Sequence, residues 1–104
     1  MERLAAALLG GTLVLPPVVL TEILSDEKTG RFLESRLRLC PLLEITQGYW
    51  ARAGAVRAML LAKGLRAKLQ DVLIAQSCID HGVPLITRDA DFRHFAKHCG
   101  LKLA

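Results

Sequence analysis

Apolar residues along this chain fall into short runs separated by glycine, proline or charged residues, and the runs differ in period. Glu2 to Leu9 consists of good helix formers and stops at Gly10-Gly11, a C-terminal stop signal. Thr12 to Leu15 is short, apolar and partly β-branched, the pattern of a buried strand. Pro16-Pro17 ends that strand and suits the first turn of a helix over Val18 to Leu24, because proline is tolerated there. Ser25 and Asp26 lead into a second helical stretch from Glu27 to about Leu39, with Lys28, Arg31, Arg36 and Arg38 facing water. Pro41 opens another strand candidate, Leu42 to Ile45. Gln47 to Lys63 has helix-period apolar positions and stops at Gly64, and Leu69 to His81 is again helical, ending at Gly82. Val83 to Thr87 reads as a third strand, Asp91 to His98 as a last helix closed by Gly100, and Leu101 to Leu103 as a short final strand.

Strands alternating with helices in this way predict an α/β sandwich with a mostly parallel sheet. The 104 residues are the size of one small domain, and 52% apolar with 23% charged residues is a globular composition. No linker, repeat or low-complexity segment divides the chain, so a single domain over residues 1–104 is expected. Pro, Thr and Glu interrupt the apolar stretches well before the roughly 18 residues of a membrane span. Glu2 beside Arg3, with no basic leader, argues against a secretory signal. Cys40, Cys78 and Cys99 are odd in number and widely spaced, which disfavours both a disulfide framework and a zinc site and fits a reducing cytoplasm. Cys78 reads as a small core residue. The formal net charge of +4 is a modest pointer to polyanions.

Three acidic positions stand out against their neighbours. Glu22 lies in Val-Val-Leu-Thr-Glu-Ile-Leu, a helix turn that is otherwise nearly all apolar. Asp71 opens Asp-Val-Leu-Ile-Ala-Gln-Ser-Cys-Ile, a helix apolar almost all round and therefore expected to be buried. Asp89 follows Val-Pro-Leu-Ile-Thr-Arg, just past the carboxyl end of a strand, the edge where open α/β sheets bind ligands. Burying an ionised carboxylate costs several kcal/mol unless a partner or cation compensates, and several at one site repel one another. A divalent cation resolves both, and hard oxygen donors select Mg²⁺ or Mn²⁺. Each residue also has a plainer reading. Asp71 suits the positive end of a helix, Glu22 the outer face of an amphipathic one, and Asp89 and Asp91 a turn and an N-cap.

Taken together, the segments resemble the PIN-domain family, in particular VapC-type toxins of toxin–antitoxin pairs. The resemblance is carried by Leu-Pro-Pro-Val-Val-Leu-Thr-Glu-Ile-Leu (15–24), Trp-Ala-Arg-Ala-Gly-Ala-Val-Arg (50–57) and Leu-Gln-Asp-Val-Leu-Ile-Ala (69–75). His-Gly-Val-Pro-Leu-Ile-Thr-Arg-Asp-Ala-Asp-Phe (81–92) and Gly-Leu-Lys-Leu (100–103) complete it, and their order and spacing are more specific than any one alone. It implies an α/β/α sandwich and an acidic cluster holding Mg²⁺ or Mn²⁺ for phosphodiester hydrolysis in RNA. By motif the acids fall on Glu22, Asp71 and Asp89, with Asp91 as a helper or substitute and Thr87 as a supporting hydroxyl. Arg88 and Arg93 are weaker candidates for RNA phosphates. The family also begins with a strand carrying an Asp, which this sequence lacks before Leu13–Leu15, and Glu2 is on a helix rather than at a strand end. The resemblance therefore implies an N-terminally truncated PIN fold, with weak metal binding and little nuclease activity in this form.

The leading expectation is a metal-dependent endoribonuclease whose partners are RNA, a cognate antitoxin and a second copy of the chain. The basic helix Lys28 to Arg38 and the cluster Arg52, Arg57, Lys63, Arg66 and Lys68 are placed to follow an RNA backbone, or form a solvated basic face. A non-catalytic PIN remnant that binds an antitoxin or self-associates is the alternative. A third is a plain α/β scaffold, since fold does not fix function.

Overall fold

Proline decides where the first helix starts. In the computed structural model of the chain, which describes residues 14–87 and 89–104, Pro16 is the extended N-cap and Pro17 the first residue of α1, Pro17–Ser25. The missing proline N–H falls where a helix has no intrahelical acceptor for it, so nothing is lost. Asp26 then stops α1 and starts α2, Glu27–Leu37, its side chain accepting from the Thr29 amide at 3.2 Å. The later helices are α3 (Tyr49–Ala62), α4 (Leu69–His81) and α5 (Arg93–Cys99), with a 3₁₀ turn, Ala90–Phe92, leading into the last. The expected helix Glu2–Leu9, the Gly10-Gly11 stop and Thr12 lie outside the described residues.

Contacts divide the chain into two compact units, Met1–Leu43 and Glu44–Ala104. In the first, α1 packs on α2, and Leu15, Ile23, Leu33 and Leu37 form a buried cluster with Val19, Leu20 and Cys40 against it. In the second, α3 packs on α4 and α5 on the 3₁₀ turn. Tyr49, Ala53 and Leu60 of α3 are buried, as are Val72, Ile74, Ala75 and Cys78 of α4. The Tyr49 hydroxyl donates to the Leu73 carbonyl at 2.5 Å, which gives the one polar atom of a buried ring its partner.

The strand expectations come out differently. Among the described residues the parallel pairing consists of two isolated bridges, Leu15 with Leu42 and Leu85 with Leu103. In the first, the Leu15 amide donates to the Pro41 carbonyl (2.9 Å) and the Leu43 amide to the Leu15 carbonyl (2.7 Å). In the second, the Leu85 amide donates to Lys102 (2.8 Å) and the Ala104 amide to Leu85 (3.0 Å). Both bridges are parallel, and among the described residues neither extends into a ladder. The reason is competition for donors. Pro17, two residues beyond Leu15, has no N–H and already belongs to α1. The Val83 amide is taken by the Cys78 carbonyl at the end of α4, and the Leu101 amide by Phe95 at the end of α5. Such bonds past a left-handed glycine cap satisfy helix carbonyls. Gly82 is that residue for α4, at φ +62°.

Candidate metal centre

Asp71 stands in the first turn of α4, after an N-cap residue, Lys68, that offers no side-chain cap. The positive end of the helix thus falls beside the Asp71 carboxylate. Asp89 is held from two directions. Its amide donates to the Thr87 hydroxyl at 3.1 Å, and its carboxylate accepts from the Asp91 amide at 2.9 Å. These bonds make Asp89 the cap of the 3₁₀ turn, which is anchored through Phe92, buried and 5.8 Å from the Phe95 ring. Asp91 follows in the same turn, half-buried.

One oxygen from each of Asp71, Asp89 and Asp91 lies within 4.8 Å of the other two. The three carboxylates are near enough to be drawn together by side-chain movement onto one small divalent cation, whose neighbouring ligands stand about 3 Å apart. The donor set is all carboxylate oxygen, which suits hard divalent cations and not zinc or copper. A chain with net charge +4 thus concentrates three carboxylates at one place. Among the described residues Arg66 stands beside one of them, its Nη1 3.8 Å from Asp91 Oδ2.

Glu22 is exposed on α1, in the first unit, whereas the three aspartates belong to the second. Arg88 lies outside the described residues, and Arg93 is exposed at the start of α5. Two members of the expected basic cluster have structural tasks. Arg57 Nε donates to the Ala67 carbonyl at 2.9 Å, fixing the loop between α3 and α4. Arg52 forks onto Asp80, Nε to Oδ1 at 3.1 Å and Nη2 to Oδ2 at 2.7 Å, and also reaches Thr46 and the Gln47 carbonyl. Gln76 and Thr46 complete the shell around Asp80. Asp80 thus ties three side chains together, yet nothing in the pattern singled it out. The available signal was an acid four residues after Gln76 on an otherwise apolar helix.

A family model described as the PIN domain matches residues 1–98. The chain belongs to the PIN domain family. No curated protein matches it significantly in sequence. PIN domains are generally nucleases, typically dependent on divalent metal and often part of toxin–antitoxin systems, and the aspartate cluster gives this PIN domain a donor set of the right kind. Among the described residues no helix is long and apolar enough to cross a membrane.

None of the three cysteines is in a disulfide. Burial pushes the Cys78 thiol up to about 11 and leaves it 2% exposed. Thiolate is the reactive form, so Cys78 is expected to resist a thiol reagent at neutral pH until the protein unfolds. Counting modified sulfurs by mass spectrometry before and after denaturation checks this, and native labelling of Cys78 contradicts it.

Proposed function

We propose that this PIN domain is a Mg²⁺- or Mn²⁺-dependent endoribonuclease of the VapC toxin type. The observation that carries the reading is the convergence of Asp71, Asp89 and Asp91 from α4 and the 3₁₀ turn onto one point. Asp71 and Asp89 would hold the cation, with Asp91 joining them or orienting water. Such an ion would supply a lowered water pKa and charge neutralisation at the phosphate. Thr87 keeps Asp89 in place through its backbone. Glu22 is assigned as a further ligand on the family resemblance, and Glu22→Gln is the variant that examines it. Arg88 and Arg93 are assigned to RNA phosphates on charge and sequence position.

The proposed partners are an antitoxin and a second copy of the chain, acting in the cytoplasm. The support is exposed apolar surface at α2: Phe32 on the helix is 76% exposed and Leu39, two residues past its end, 80%.

Metal removal tests the activity. The chain is expected to cleave a mixed single-stranded RNA pool weakly with Mn²⁺ present, to stop on addition of EDTA, and to resume when Mn²⁺ is restored in excess. Cleavage that persists in EDTA, or no cleavage with either ion, sinks the proposal.

A further inference from the structure

Arg66 is a cation that the protein places beside one of these carboxylates, Asp91. The loop carrying it, between α3 and α4, is fixed on both sides. The Leu65 amide donates to the Leu60 carbonyl at 3.0 Å, and Ala67 is buried with its carbonyl held by Arg57 at 2.9 Å. The backbone origin of Arg66 is therefore set, while its side chain remains 68% exposed and reaches Asp91 at 3.8 Å. That separation is too long for a hydrogen bond, so the guanidinium answers the local charge without being locked. An exposed ion pair of this kind is weak. It is readily exchanged for a better anion.

We infer that Arg66 is a phosphate-binding residue of this site: it attends Asp91 when no divalent cation is bound and turns to an RNA phosphate when one is. This rests on the nuclease reading. A divalent cation on Asp91 satisfies that carboxylate and repels Arg66, which removes the reason for the guanidinium to stay. A phosphodiester brought to the same cation presents non-bridging oxygens within reach of an arginine anchored one loop away. A planar guanidinium suits a phosphate bidentately in a way a lysine does not. Lys63 and Lys68, which flank Arg66 in the sequence, are also exposed.

The test uses the full chain, a short 2′-O-methyl RNA that resists cleavage, and Mn²⁺. Calorimetry reads Mn²⁺ affinity, and fluorescence anisotropy reads RNA affinity at several salt concentrations. Arg66→Ala is expected to weaken RNA binding in Mn²⁺ by roughly 3- to 10-fold and to reduce the salt slope by about 0.7, the loss of one single-strand phosphate contact. In the absence of RNA the same variant is expected to bind Mn²⁺ as well as the parent or roughly twofold tighter, because a competing cation has gone. Arg66→Lys is expected to restore the salt slope and only part of the affinity. The opposite signs matter, since a merely structural arginine does not weaken RNA while sparing metal. Unchanged RNA affinity and slope in Arg66→Ala overturns the inference and leaves the nuclease reading standing. Loss of Mn²⁺ binding in Arg66→Ala also overturns it, by making Arg66 a support for the carboxylates. A parent chain that binds neither Mn²⁺ nor RNA overturns the nuclease reading itself, and this inference with it.

Discussion

Asp71→Asn is expected to lower Mn²⁺ affinity and metal-dependent RNA cleavage by at least about 100-fold. Groups that only orient metal ligands are already worth 10- to 100-fold, and Asp71 is assigned as a ligand itself. Asparagine keeps the shape of the side chain and is tolerated in the first turn of a helix, so α4 remains intact. The substitution removes charge from a place where three carboxylates come within 4.8 Å of one another. The competing account makes Asp71 a helix N-terminal acid and nothing more. On that account the variant loses the macrodipole term, about 0.3–1 kcal/mol, and metal affinity does not move. Calorimetry with Mn²⁺, paired with thermal unfolding, separates the two. A lower Tm with undiminished Mn²⁺ binding and cleavage removes Asp71 from the site. Adding Asp89→Asn to Asp71→Asn is expected to cost little more, because ligands of one ion act as a unit.

Asp80→Ala is expected to destabilise the second unit by about 2–3 kcal/mol, the usual effect of leaving a buried polar group unsatisfied. The Asp80 side chain is 9% exposed and accepts from Arg52, Gln76 and Thr46. Arg52, 43% exposed, finds water when the carboxylate goes. Gln76, 3% exposed, does not, and its Oε1 already has no partner among the described residues. A drop in Tm of roughly 10 °C follows for a domain of this size. The pH dependence has a definite sign. The Arg52 guanidinium hydrogen-bonded to Asp80 holds its carboxyl below the ordinary value, with Gln76 and Thr46 acting in the same direction and burial opposing them. The stability from this anchor is therefore present above the unfolded value of about 3.9 and is lost as pH falls through the depressed folded one. Asp80→Asn should flatten that acid limb in denaturant titrations. An unchanged Tm in Asp80→Ala would show that the anchor contributes nothing.

The acidic residues differ in how far local sequence marks them. Glu22, Asp71 and Asp89 stand beside apolar runs, with Asp91 two residues beyond the last, so pattern alone makes them candidates. Asp80 has only the faint local sign of an acid four residues after Gln76. Its role depends on Arg52 and Thr46, residues 28 and 34 positions away in the chain, and no local period reports a partner at that distance.

Local pattern decided the helices. Pro17, Asp26 and Gly82 set where α1, α2 and α4 begin or end through φ restriction, side-chain capping and left-handed backbone, which are properties of the residues themselves. The grouping of Asp71 with Asp89 and Asp91 and the placing of Arg66 on Asp91 were decided by tertiary structure alone. A helix answers to neighbours three and four residues away, whereas a bridge, an ion pair and a ligand set answer to whichever distant donor or charge the packing delivers.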